Sequence, residues 1–310
     1  MGRRLAVPLL GVALVLWACG DNTGPGNATT QEQLEVQAAL DGSGFAGEDF
    51  GDLGAVADFP APPAFNLGFA LSPATDTVRA PRFWGRRRER PVSVVREVVV
   101  TGDTARATVT RRFEGTFVLR LGIDSTAVPT TKPLIESLVQ RAVLVRVPAE
   151  SVTATNSLRW RLVALSPQEY RATGPANRTV RITRVSVSVN GQVKIGITDP
   201  QALFRVTNQI PRLALGDTVV VTAEVTNTTG GDNFPATFVF LHVDRADAAR
   251  AVWRRERMLQ APSGAFVKAW VVRLAGPARF AVDAIDAGTF KTAAGDDYRA
   301  NVWGVPFRIE

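Results

Sequence analysis

The chain has 310 residues, 45% apolar and 21% charged, proportions that exclude both a disordered chain and a bundle of membrane-spanning helices. Net charge is +7, and 32 of the 36 basic residues are arginines, yet these are scattered rather than gathered on one element, which argues against a nucleic-acid partner. One cysteine and one histidine exclude a disulfide framework and a histidine-rich zinc centre, and no cofactor is expected.

Arg3 and Arg4 open the chain, Leu5 to Trp17 carry no charge, and Ala18, Cys19 and Gly20 lead to Asp21. A basic start, a short apolar run and a small-residue exit are the parts of an export signal. The apolar run is 13 residues, short of the roughly 20 needed to span a bilayer core. Leu16-Trp17-Ala18-Cys19 stands where a lipobox would, and about the first 21 residues resemble a bacterial lipoprotein signal, with residues 1–18 as the signal peptide. The resemblance implies cleavage before Cys19, acylation of Cys19 and a chain held at the cell membrane by its N-terminal lipid. Gly20 in place of an aspartate after the cysteine implies the outer membrane.

Residues 19–30 are polar and rich in Gly, Asn and Thr, the composition of a flexible tether. Thr29 with Glu32, or Thr30 with Gln33, has capping-box spacing, which predicts a helix from Gln31 to Leu40 ended by Gly42 and Gly44. Gly42-Ser43-Gly44-Phe45-Ala46-Gly47 matches G-x-G-x-x-G, but a helix precedes it and acids follow it, so it reads as a loop. The prolines between Phe59 and Thr77 predict an extended segment.

The basic run from Arg82 to Arg90 offers Arg82, Arg86, Arg87 and Arg88 as a contact for anionic lipid headgroups or an acidic polymer; the plainer expectation is a solvated loop. From Val92 the pattern alternates with period two. Val92 to Val100, Thr104 to Arg112 and Phe117 to Ile123 read as a meander with turns at Gly102 and Gly115. Pro133 to Gln140 is expected as a helical turn, and Ala142 to Val147 and Leu158 to Ala164 as further strands. These place an α+β antiparallel sheet domain over residues 31–175.

Residues 176–198 read as a hairpin. A three-residue loop, Val189-Asn190-Gly191, would pair Val187 with Val193 and Val185 with Ile195, keeping apolar side chains on one face. After Asp199-Pro200, seven short strands over residues 199–310 suit a two-sheet sandwich. Gly216-Asp217 before Val219, Val221, Ala223 and Val225, with Gly276 before Phe280 to Ala284, resembles bacterial immunoglobulin-like domains. The fold expected is therefore mainly β: an antiparallel sheet domain with minor helix, then an immunoglobulin-like β-sandwich.

Catalytic chemistry has few carriers. His242 lies between Phe240 and Val243 with no nucleophile elbow anywhere, so a structural histidine is expected. Asp283 with Asp286, and Asp296 with Asp297, are the carboxylate pairs open to glycoside hydrolysis or to calcium, with Asp296 and Asp297 the metal candidates. Trp270 and Trp303 are expected as core fillers. The function expected is a non-catalytic binding or structural role in a lipid-anchored envelope protein, with an envelope protein or polysaccharide as partner. The alternatives are a carbohydrate-binding accessory or carboxylate-based hydrolase, with a Trp-lined or acidic cleft, and a carrier of a small apolar ligand.

Overall fold

The computed structural model describes residues 30–43, 45, 81–88, 91–121, 129–148, 159–173, 178–229, 237–247, 250–272, 276–290 and 298–310. It is mainly β, with one helix, α1 (Gln31–Asp41), and strands β1 (Pro81–Arg88), β2 (Ser93–Thr101), β3 (Thr104–Leu121), β4 (Thr130–Arg146), β5 (Trp160–Leu165) and β6 (Gln168–Ala172) in the first half. The second half holds β7 (Val180–Val189), β8 (Gln192–Ile197), β9 (Phe204–Arg205), β10 (Arg212–Leu213), β11 (Thr218–Asn227), β12 (Thr237–Asp247) and β13 (Arg250–Arg257). It ends with β14 (Leu259–Gln260), β15 (Phe266–Val271), β16 (Gly276–Asp286) and β17 (Ala300–Ile309).

Two sheets are formed. The larger runs β1-β3-β4-β6-β17-β16-β12-β13 and the smaller β14-β15-β11-β7-β8. Hydrogen bonds from β6 to β17, such as Trp303 paired with Glu169, carry one sheet across the line expected between residues 31–175 and 199–310. The hairpin read over residues 176–198, as a connection or as part of the first domain, is β7–β8 and edges the smaller sheet beside β11.

The sandwich follows from period-two burial. Val219, Val221 and Ala223 of β11 face Val239, Leu241, Val282, Trp303 and Val305 of the larger sheet in one apolar core. β17 is buried on both faces, because its other side lines the hollow of the curled large sheet. A fully buried Val or Leu contributes about 1.5–3 kcal/mol, so this core dominates the favourable side of folding.

The helix stands as expected. Thr30 and Gln33 form the reciprocal capping box, and Gly42 caps the other end. Eleven residues are marginal as an isolated helix. Stability comes from packing Val36, Ala39 and Leu40 against Val98, Leu144 and Trp160.

Three local expectations are corrected. Residues 133–140 are not helical but part of β4, because Leu134, Glu136, Leu138 and Gln140 are all buried on one face, a period of two that no helix can present. β3 does not turn at Gly115. It runs straight through, with Gly115 paired to Arg88, and a Cβ there would lie 2.1 Å from the Arg87 carbonyl oxygen. The β7–β8 loop has two residues, not three. Asn190 and Gly191 both take positive φ, 49° and 81°, and Val189 pairs with Gln192. A register shift next to Lys194 then restores apolar matching, Val187 with Ile195 and Val185 with Ile197, and leaves Val193 exposed.

Candidate functional site

The arginine run of β1 alternates like any strand. Trp84, Arg86 and Arg88 turn into the curled sheet, while Arg87 faces solvent. Inside, the guanidinium of Arg86 grips the Asp283 carboxylate with two parallel bonds, Nη1 to Oδ2 at 2.5 Å and Nη2 to Oδ1 at 2.7 Å. Its Nε donates to the Tyr298 hydroxyl at 2.5 Å, and that hydroxyl donates to Glu136 Oε1 at 2.5 Å. Arg88 Nε donates to Glu136 Oε2 at 2.7 Å. His242 Nε2 lies 2.9 Å from Asp283 Oδ2. Arg255, on β13 at the far end of the sheet order, stacks 3.5 Å from the Trp84 ring centre and donates to the Trp84 carbonyl at 3.0 Å.

These contacts join β1 and β4 to β12, β13 and β16, so the two ends of the large sheet are drawn together over a charged interior. Arg86, Glu136, His242 and Asp283 are all 2% exposed or less. Aromatic packing seals them: Trp84, Phe117, Phe240 and Phe290 stack around the Arg86 end, and Phe113 with Tyr170 lies beneath Arg88.

The electrostatics follow from this enclosure. Burial would raise Asp283, but the Arg86 guanidinium and the His242 contact override it and hold the carboxyl well below the usual range. Burial lowers His242, only partly opposed by Asp283, while Arg255 and Arg86 push the same way, so the imidazole is held neutral. Tyr298 is pushed up by burial against the pull of Arg86, and its proton stays on the hydroxyl that Glu136 accepts.

A general base needs a lone pair within reach of a substrate proton. Here both oxygens of Asp283 and both of Glu136 are engaged by guanidinium, hydroxyl or imidazole groups. The chemistry available to such a cluster is positional: it fixes where the strands that carry it can lie.

His242 is where a structural histidine was expected, buried, and Trp303 fills the core while Trp270 packs on Phe280 and Phe307. Trp84 and Trp160 are buried too. The surface contact expected of the basic run fails for Arg86 and Arg88, since their charges are spent on buried acids; among the described side chains of the run, Arg87 is the exposed arginine. Asp283 and Asp286 do not form a pair. Three positions apart on β16 they face opposite sides, and Asp286 is tied to Asn227 at 2.8 Å, to Thr229 and to the Gly288 amide at 2.7 Å. Cys19, Asp296, Asp297 and the side chain of Arg82 lie outside the described residues. Among those described, no group of three metal-ligating side chains is assembled, and no helix is long and apolar enough to cross a membrane.

Sequence reasoning missed Glu136, Tyr298 and Arg255. The signal for Glu136 was available, an acid on the buried parity of an otherwise apolar alternation, Leu134-x-Glu136-x-Leu138. No family model matches the chain, and a search of curated proteins returned no similar sequence.

Proposed function

We propose that the chain is a lipid-anchored protein of the bacterial cell envelope, held through Cys19, whose β-rich body has a binding or structural role rather than a catalytic one. The observation that supports this reading best is the saturation of the buried acid–base constellation found among the described residues. His242, Asp283 and Glu136 are buried, and each carboxylate is engaged by partners of the chain itself. The buried Trp84, Trp160 and Trp303 weigh against a sugar platform built on them. The signal-like segment before Cys19 supplies the address, and two or more acyl chains supply stable anchoring at about 0.8 kcal/mol per buried methylene.

Metabolic labelling with a radioactive fatty acid tests the anchor. Label on the wild-type chain, absent from Cys19→Ser together with membrane retention, is the expected result. An unlabelled wild-type chain that fractionates as soluble overturns it.

A further inference from the structure

The curled sheet has an outer face that the smaller sheet does not cover. On it, the register of β2 to β5 gathers four arginines from three separate stretches of the sequence. Arg106 is paired with Val99 on one side and Val143 on the other; Arg141 is paired with Thr108 one row along; Arg161 is paired with Val145 one row the other way. Arg159 follows, its carbonyl bonded to the Val147 amide. Paired residues share a face, and positions two apart on a strand do too. Arg106, Arg141, Arg159 and Arg161 are all exposed and, among the described residues, none forms an ion pair. Glu97, beside Thr108, is the one acid in these rows. Val99, 63% exposed, stands among them.

The place where the tether leaves the body bears on what this face meets. Thr30 caps α1, and the first turn of α1 is bolted to the same end of the sheet. Gln33 Nε2 donates to the Val98 carbonyl at 2.9 Å, and Arg146 Nη2 donates to Glu32 at 2.5 Å. Val98 and Arg146 are one position from Val99 and Val145 and so point to the opposite face: α1 packs behind the arginine face, and the tether starts at that end of the sheet within reach of its edge. Eleven peptide steps separate Cys19 from Thr30, a reach of at most about 40 Å fully extended and about 20 Å as a flexible coil.

We propose that this face, centred on Arg106, Arg141, Arg159 and Arg161, docks on the anionic headgroups of the bilayer that holds the lipid. The proposal rests on the anchor reading for the tether's role. Guanidiniums fixed on a rigid sheet pair with lipid phosphates without the ordering cost of a flexible basic segment. The exposed valines suit the headgroup boundary, and the short tether keeps the local lipid concentration high.

The test uses the mature chain, residues 19–310, carrying Cys19→Ser, so that neither the acyl anchor nor the apolar run 5–17 contributes to vesicle binding, and it fails or succeeds independently of labelling at Cys19. Cosedimentation is measured on phosphatidylcholine vesicles with and without phosphatidylglycerol. Binding only to the anionic vesicles, falling with added salt, is expected. Each Arg→Gln change on the face is expected to weaken it by about fivefold, equivalent to about 1 kcal/mol per charge. Arg181→Gln with Arg184→Gln, on exposed positions of the smaller sheet, is the control charge-matched to Arg106→Gln with Arg141→Gln and should bind like the parent. Equal loss in the control, no anionic preference in the parent, or binding to a soluble acidic polysaccharide in place of vesicles overturns the proposal. The single changes, each at an exposed position, keep the test decisive if a multiple variant does not fold.

Discussion

Arg86 and Asp283 are 197 positions apart in the chain, yet they meet in a bidentate, fully buried ion pair at 2.5 and 2.7 Å. Such a pair contributes little net stability over an apolar one, because both charges were stripped of water. Breaking it is another matter, since the survivor is left charged and unpaired. Asp283→Ala is therefore expected to cost about 3–5 kcal/mol in urea unfolding, an order of magnitude above an exposed acid such as Glu224→Ala. A loss no larger than the exposed control would show that the pair does not close the sheet.

The single histidine sets a pH window. Native His242, faced by Asp283 from β16, Arg86 from β1 and Arg255 from β13, holds its pKa below the unfolded value of 6.5. Below pH 6.5 the unfolded chain takes up a proton that the native chain refuses, so stability falls as the pH drops from there toward the native pKa. Well above pH 6.5 the group contributes no slope. Asp283 adds a lower window: its stabilisation is present above its unfolded 3.8 and is lost as pH falls below it. Unfolding followed from about pH 7 to pH 5 should show a slope in the wild type that His242→Gln flattens. An unchanged slope in the variant would contradict the assignment.

Gly115 marks the closest approach of the β1 backbone to β3 at the end of their ladder. An alanine Cβ would meet the Arg87 carbonyl at 2.1 Å, a contact no side-chain rotation relieves. Gly115→Ala should cost about 1–3 kcal/mol through backbone displacement. Gly196→Ala, whose nearest neighbour is the flexible tip of Arg184 at 4.0 Å, should change stability by no more than about 0.5 kcal/mol. Equal melting temperatures for the two variants would sink this account of the close approach.

Much of the fold was legible because local pattern and burial agree. Val219, Val221 and Ala223 alternate in sequence and face the sandwich core, and Thr30 and Gln33 cap the helix their spacing promised. The misses share a cause, distance along the chain. Arg86 and Arg88 read as solvated because nothing nearby answers their charge; Glu136 and Asp283, which do, are 50 and 197 positions from Arg86. Pro133 and the polar members of β4 suggested a turn, because the face that buries Glu136 and Gln140 exists only once the sheet has curled. At Asn190-Gly191 the strongest short hairpin signal was passed over for face matching that a register shift supplies instead. The arginine face was hidden for the same reason: Arg106, Arg141 and Arg161 become neighbours only through strand register.

The charged interior as a lock that closes the sheet is tested most directly by a double-mutant cycle between Arg86 and Asp283, measured by urea unfolding. Arg86→Met and Asp283→Leu singly should each be strongly destabilised, while the double variant, with no charge left to strand, should recover most of the loss, a coupling of about 2 kcal/mol or more. Losses that simply add in the double variant would contradict the account.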